Sequence, residues 1–546
     1  LFVPVPPPYD PLEWLTWPFA ARARAACQAW AMQGYGSPLG AYAFYLLKVA
    51  LYVGGWVFFC GFSPALGGAS SIASWWLSPV AFQKAIVWSL LFEVVGLGCG
   101  SGPLTARYLP PVGGFLYFLR VGATKLPLFP NVPLLGSKRR GVVDVLLYAG
   151  LLAAAVRALV APAPGFAHFL PLVAVLPVIG VLDKTVFLAA RSEHFWVTIV
   201  CFAFAPQWIA GAKAVQLALW FWAGFSKLNH HFPTVVCVMT SNGPFTRFPW
   251  LRRLMYREYP RDLRPSRLAA AMAHAGTSFE FGVPLAFLLT PLGTPPLFAI
   301  VAMLLLHGYI TSNVPMGVPI EWNVMVVYGG FALFWAHPDV SLFAVAPAPL
   351  AVFLVVMLAV LPLLGNLFPG RLSFLLSMRY YAGNWACSVW LFRGDAHRRL
   401  DRLKTGARRA QDQLERLYGR AAAVGLLSKV MAFRLMHLHG RALSLLVPKA
   451  VDRFEDYEWV DGELVAGMVL GWNFGEGHLH DEQLLASIQE QCDFAQGELR
   501  CIMIEGQPLG RSTLAYRIVD AKTGSIEAGE VPLSDLQSRQ PWGAAA

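Results

Sequence analysis

Residues 39–60 read LGAYAFYLLKVALYVGGWVFFC, an apolar run interrupted by one ionisable residue, Lys48. A helix of about 20 mostly apolar residues crosses the hydrocarbon layer of a bilayer. The run meets that length and predicts a membrane span. Similar runs recur at 80–98, 141–161, 168–190, 195–211, 213–231, 268–290, 294–311, 323–337 and 348–367, giving about ten predicted spans. The fifth and ninth are short, and the Pro, Gly and Asn residues around 311–323 predict a break in a helix.

Composition agrees with this reading. Of 546 residues, 56% are hydrophobic and 14% are charged, and the mean hydropathy is +0.51. A soluble chain of this size needs far more charge to cover its surface. The 19 Trp and 17 Tyr supply rings for interfacial belts. The net charge is +11, yet no basic motif interleaved with aromatics appears, so nucleic acid is not an expected partner. The eight cysteines form no CxxC pair and read as reduced packing residues.

Lys and Arg are distributed unevenly. Arg22 and Arg24 precede the first span, Arg107 to Arg140 follow the second, Arg252 to Arg267 follow the sixth, and a long basic tract follows the tenth. The loops after spans one, three, seven and nine carry almost none. Positive residues concentrate on the cytoplasmic side, which predicts that both termini are cytoplasmic.

The predicted fold class is an all-α polytopic membrane bundle, followed by amphipathic helices and a small soluble α+β domain. Residues 1–38 read as an interfacial segment, because PFAARARAACQAWAM can form a helix with arginines on one side. Residues 39–370 form the transmembrane domain. Residues 371–449 read as a basic amphipathic linker, with Leu400, Leu403, Ala407, Ala410, Leu414 and Leu417 at helical spacing. Residues 450–546 read as a cytoplasmic α+β domain able to dock a protein partner. Within it GELVAGMVLGWNF predicts a strand, DEQLLASIQEQC a helix, and ELRCIMIEG and STLAYRIVD strands, with a hairpin and a further strand in DAKTGSIEAGEV.

An ionisable residue at mid-bilayer costs about 2.5–3.5 kcal/mol, so each one needs a reason. The candidates are Lys48, Lys84, Glu93, Asp144, Asp183, Lys227, His230, His231, His274, Glu280 and His307. In FWAGFSKLNHHF (221–232), Lys227, His230 and His231 fall at i, i+3 and i+4, which one helical face can present together. A lysine near a helix end can instead reach for water. Glu280, in AGTSFEFGVPLAFLL, is too short to reach far, and Thr277 precedes it by one turn. His307 ends an apolar run in LLLHGYITSN. Glu93 lies deep in LLFEVVGLGCGSGPL, whose glycines match no phosphate loop. In the tail, GHLHDE carries His478 and His480, weak metal candidates without a clear third ligand, so no metal is expected. The HLH at 437–439 is placed on a helix, where its histidines would diverge.

Three stretches, WFWAGFSKLNHHF, SFEFGVPLAFLL and LLLHGYITSN, together resemble the vitamin-K-dependent carboxylase-like fold, also called the horizontally transferred transmembrane domain. The resemblance spans roughly 195–340. It implies that Lys227 acts as a base toward a quinol, with Glu280 and His307 orienting the substrate or relaying protons. A quinone or hydroquinone is the cofactor it suggests. Glu93, His230, His231 and His274 are the accompanying candidate substrate-binding groups. A lysine serves as a base only where part of its population is neutral, and desolvation favours that form. The large soluble domain that holds the peptide substrate of those carboxylases has no counterpart here. The expected substrate is therefore a quinone or lipid-like molecule rather than a protein. Over its whole length the chain also resembles an uncharacterised family of bacterial, notably mycobacterial, transmembrane proteins, through LLFEVVGLGCGSGPLTARYLPPVGGFLYFLR and VLGWNFGEGHLHDEQLL. That second resemblance implies the inner membrane of a bacterial cell and supplies no activity. The alternative to an enzyme is a non-catalytic scaffold or lipid-handling factor that recruits partners through its tail.

Overall fold

Apolar runs without internal breakers satisfy their backbone groups within a single helix, and this chain follows that rule. The computed structural model describes residues 3–102, 105–243, 248–313, 320–372, 376 and 379–543. Helices occupy Leu39–Cys60, Pro79–Val94, Val142–Val160, Phe166–Leu182, Trp208–Ser226, Arg267–Leu289, Leu297–Thr311, Ile320–Gly329 and Ala348–Leu367. Local chemistry fixes where they begin. Ser78 accepts a hydrogen bond from the Ala81 amide with Pro79 beside it, and Ser266 accepts from the Ala269 amide. The break expected around 311–323 falls largely on residues 314–319, outside the described residues.

The expectation of about ten spans is corrected. Among the described residues, Leu39–Cys60, Val142–Val160 and Ala348–Leu367 are long and apolar enough to cross a membrane. The number rises to five if two bent pairs each count as one span: Ala69–Trp75 with Pro79–Val94, at 112°, and Arg420–Met436 with His439–Ala450, at 100°. Length is one reason. Phe166–Leu182, Ser192–Phe204, Leu297–Thr311 and Ile320–Trp335 are each 10–17 residues long, and at about 1.5 Å per residue such helices fall short of a hydrocarbon layer of about 30 Å. Capping is another. The apolar run 168–190 is divided at Asp183, which accepts from the Thr185 amide to start a new helix and pairs with Arg140 at 2.9 Å. Asp144 likewise accepts from the Gly141 amide and pairs with Lys125. Lys84 donates to the Phe59 carbonyl at 2.8 Å. These three charges hold helix ends and helix neighbours.

The N-terminal helix, Phe19–Gln33, packs against other helices of the protein. Ala23, Ala26, Cys27 and Trp30 are fully buried against the helices Arg420–Met436 and Phe232–Asn242. Small residues at helical spacing let these backbones approach. The Trp30 indole donates to the Val238 carbonyl at 3.1 Å, and the Arg22 guanidinium lies 4.9 Å from the Phe454 ring centroid.

The C-terminal sheet has five antiparallel strands in the order β4-β3-β5-β6-β7. They are β3 (Cys387–Arg393), β4 (Tyr457–Asp461), β5 (Leu499–Ile504), β6 (Thr513–Asp520) and β7 (Gly524–Pro532); β1 (Tyr256–Glu258) and β2 (Asp262–Pro265) form a separate hairpin. Strand β3 comes from the segment read as linker, so a boundary at 450 cuts through one sheet. The stretch read as a strand, GELVAGMVLGWNF, is largely the helix Gly462–Leu470, capped by Asp461 and ended by Gly471 at φ 88°. All its residues are buried, and a short run that is apolar on every side carries no periodicity to separate helix from strand. Its backbone lies against the helical domain: a Cβ on Gly467 would sit 2.3 Å from the Thr105 carbonyl oxygen. Arg107 donates to the Gly467 and Gly471 carbonyls at 3.2 and 3.1 Å, and Tyr117 to the Val469 carbonyl. The basic loop after the second helix thus holds the tail.

Two outcomes follow. Residues 450–546 expressed alone lack β3, the strand between β4 and β5, and should give a collapsed amide spectrum; a dispersed one would show that the sheet closes without it. Because the N-terminal helix packs against the 420–436 helix and Phe454, reporters fused to the two ends should read the same compartment, and opposite readings would contradict that packing.

Candidate functional site

Lys227 is the residue that closes the helix Trp208–Ser226, and Glu280 lies in the middle of Arg267–Leu289. The two helices pack closely at Gly224, where an added Cβ would come 3.2 Å from the Phe281 ring. Across this contact the Lys227 ammonium donates to Glu280 Oε1 as an ion pair. Lys227 is 8% exposed and Glu280 5%. The second carboxylate oxygen, Glu280 Oε2, is buried with no hydrogen-bond partner. The Lys227 ammonium also stands 5.1 Å from the centroid of the Phe232 ring.

His307 completes this wall. Its Nε2 accepts from the Trp220 indole at 2.9 Å, and its Nδ1 lies 2.9 Å from Asn323 Oδ1. A nitrogen that accepts carries no proton, so His307 is neutral with its hydrogen on Nδ1, donated to Asn323. Trp220 is in turn stacked on Phe287 at 5.2 Å.

These groups face a cavity of about 200 Å³. Its lining is mostly apolar, including Leu219, Phe232, Val235, Met239, Leu306 and Val326. The polar groups are few: Lys227, Glu280, His307, Asn313, Asn323, His437 and the tyrosines 309, 380 and 381. Besides Glu280 Oε2, Asn313 Oδ1 and the Tyr380 and Tyr381 hydroxyls are buried without a partner. An apolar chamber with a few converging polar groups is the usual form of a small-molecule site.

Lys227, Glu280 and His307 therefore come together, while the other four candidates do not line this cavity. The helix ends at Ser226, so the i, i+3, i+4 relation of Lys227, His230 and His231 does not arise. Asn229 accepts from the His231 and Phe232 amides and turns the chain. His230 is exposed. His231 is buried and directed at the tail, with Nε2 2.9 Å from Gln507 Oε1. His274 is exposed on the outer side of its helix.

Glu93 belongs to a second buried cluster. Its Oε2 accepts from the Cys99 amide at 2.8 Å, and Cys99 Sγ lies 3.5 Å from Glu321 Oε1. Lys48 pairs with Glu321 at 2.9 Å and donates to the Gly98 carbonyl at 2.9 Å. The glycines serve this wrapping, since a Cβ on Gly98 would lie 2.4 Å from the Glu93 carboxylate. Ligand atoms of Glu93, Cys99 and Glu321 lie within 4.8 Å of one another, and the Lys48 ammonium already balances one of the two carboxylates.

Sequence reasoning missed Asn323, His437, Tyr380, Tyr381 and Trp385 as cavity residues. The available signal was the aromatic–polar run YYAGNW, just beyond the last apolar helix. The HLH motif also differs from its reading: the helix ends at Met436, and His437 and His439 face each other with ring centroids 5.9 Å apart.

In the tail, His478 lies between two carboxylates, Nδ1 2.9 Å from Glu476 and Nε2 3.1 Å from Glu505. Burial alone would lower its pKa, but the hydrogen bonds to both carboxylates outweigh burial and raise it to about 10. Both nitrogens are therefore protonated and donate, leaving none to ligate a metal. His480 is buried, and burial lowers its pKa to about 3; its Nδ1 lies 2.7 Å from Ser388 Oγ. A group whose pKa rises on folding stabilises fully below its ordinary value near 6.5, and that contribution is lost as pH rises through about 10. Wild-type thermal stability should fall over that window, and His478→Gln should fall less. Parallel profiles would show that the clamp is not charged.

No curated protein and no solved structure matches this chain. One family model does, over residues 2–546, and its description is a transmembrane protein of unknown function (DUF3556). With its apolar helices and a match from end to end, the chain is a transmembrane protein of the DUF3556 family.

Proposed function

We propose that this membrane protein binds an apolar, quinone- or lipid-like molecule in the 200 Å³ cavity, and that the Lys227–Glu280 pair exchanges a proton with it. One observation carries the reading: a buried ion pair forms part of an apolar chamber, with one carboxylate oxygen left bare. Removing two charges from water costs several kcal/mol, which their attraction offsets only when the remaining lone pairs are satisfied. A ligand hydroxyl donating to Glu280 Oε2 would satisfy the missing one. The proton transfer then balances simply. The hydroxyl proton passes to Oε2, the carboxylate becomes a neutral acid, and the ligand oxyanion faces the Lys227 ammonium.

Lys227 can itself be the base once its own proton has passed to Glu280; after the ligand is deprotonated the pair holds one added proton, with Lys227 cationic and Glu280 neutral, and its charge of +1 balances the ligand oxyanion. This matches the role that the carboxylase-like resemblance implies. His307 has both nitrogens engaged, which suits fixing Trp220 and Asn323 on the wall better than relaying a proton. A scaffold role through the tail has less support, because the tail is packed into the helical domain.

The test uses decyl-hydroquinone and its dimethyl ether on the purified protein, read by quenching of the cavity tryptophans 220, 322 and 385. The hydroquinone should bind roughly tenfold more tightly than the ether, the worth of a hydrogen bond to a charged group at about 1.4 kcal/mol. Glu280→Gln should erase that difference. Lys227→Met should destabilise the protein by about 3–5 kcal/mol, because it strands a buried carboxylate, and adding Glu280→Gln should recover much of the loss. Equal binding of hydroquinone and ether to the wild type would overturn the reading.

A further inference from the structure

A second, smaller cavity of about 70 Å³ adjoins the first, and Tyr380, Tyr381 and Trp385 line both. It lies where the helical domain meets the C-terminal sheet. Most of its charged groups are already engaged. Glu476 and Glu505 hold His478 between them. Arg379 donates to the carbonyls of Gly365, Asn366, Asn384 and Gln507. Glu193 also lines the cavity.

Arg191 is different. It is 4% exposed, and its guanidinium carbon lies 4.9, 5.3 and 5.9 Å from the ring centroids of Phe474, Trp472 and Trp322. The aromatic rings hold the guanidinium in place, yet its Nη2 is buried without a hydrogen-bond partner. The Trp472 indole nitrogen and the Tyr380 and Tyr381 hydroxyls are in the same condition. The Tyr381 hydroxyl lies within electrostatic reach of Arg191. The Arg191 guanidinium also has Cys99 as a side-chain hydrogen-bond partner and Glu93 as a charged neighbour, while Glu93 Oε2 accepts from the Cys99 amide, so Nη2 is the part of the fork left bare.

The balance of unpaired groups identifies the ligand class. Guanidinium and indole N–H groups can only donate, and phenols readily do so. Four such groups left bare around one cavity call for a ligand rich in acceptors. Facing a guanidinium, that ligand is an anion, and carboxylate and phosphate match the geometry of the arginine fork. The shared wall supplies the rest: Tyr380, Tyr381 and Trp385 line both the polar chamber and the apolar one.

We propose that the Arg191 chamber binds the carboxylate or phosphate head of an amphiphile whose apolar body occupies the larger cavity beside Lys227. This rests on the reading of the larger cavity as a ligand site, and narrows its ligand to an acidic, lipid-like molecule.

The test compares a brominated fatty acid with its methyl ester, read by quenching of tryptophan fluorescence in the full-length protein. The acid should bind roughly tenfold more tightly than the ester, as expected for a charge-assisted hydrogen bond. Arg191→Gln should remove that preference while leaving ester binding in place. Tyr381→Phe, which removes only a hydroxyl, should reduce the preference by about threefold and keeps the test decisive if Arg191→Gln does not fold. Dodecyl phosphate should compete with the acid, and millimolar inorganic phosphate should not. Equal affinity for acid and ester would overturn the proposal, as would a preference abolished by Lys227→Met but not by Arg191→Gln, which places the head at Lys227. Displacement by inorganic phosphate alone would make the ligand a free anion and overturn the amphiphile. Failure of both acid and ester to bind at all would instead count against the larger cavity as a ligand site.

Discussion

A single buried guanidinium ties the 420–436 helix to the C-terminal sheet and the helix that follows β4. Arg434, on the 420–436 helix, bonds Asp461 through Nε and Nη2 at 2.9 and 3.0 Å and Glu463 at 3.1 Å. It also lies 5.2 Å from the Trp385 ring centroid, and the Trp385 indole donates to Glu463 at 3.2 Å. This joins the helix to the end of β4, to the start of the 462–470 helix and to the aromatic wall of both cavities. A planar fork with five donors can bridge two carboxylates and stack on an indole at once, which a lysine cannot. Removing one member would strand the others as unpaired charges in a dry interior.

The two cavities depend on that junction. Trp385 and His437, held around Arg434, lie on the opposite side of the sequence from Lys227, Glu280 and His307, yet all five share one chamber. The helical domain contributes the ion pair, and the segments after it contribute the aromatic wall. The chamber therefore belongs to neither alone. The same logic explains why the basic loop at 107–140 contacts the tail: Arg107 and Arg140 meet the carbonyl ends of the 462–470 helix, where cations are favoured.

Much of this organisation was legible from sequence, within limits that physics sets. Helices appeared where apolar runs were long, because burying backbone without water leaves few alternatives. Lys227, Glu280 and His307 were among eleven candidates because an ionisable group in an apolar run demands a partner, and the structure brings these three to one cavity. The number of spans was overestimated, because an apolar run records hydrophobicity and not whether its surroundings are lipid or protein. The reading of His230 and His231 failed for a local reason: the helix stops at Ser226, and Asn229 caps a turn where a continuing face was assumed.

What the sequence by itself determined is membrane residence, most of the apolar helical segments, and a set of ionisable candidates that includes the three at the larger cavity. Each follows from composition or from contacts within a few residues. What only the tertiary structure decided is which side chains meet across hundreds of positions. It placed β3 from residues 387–393 inside a sheet otherwise built after residue 456. It turned the 462–470 segment into a buried helix, and set Arg191 opposite Tyr381 and Trp472. Hydrogen bonds and cavities depend on distances between chain-remote atoms, and local periodicity carries no information about those distances.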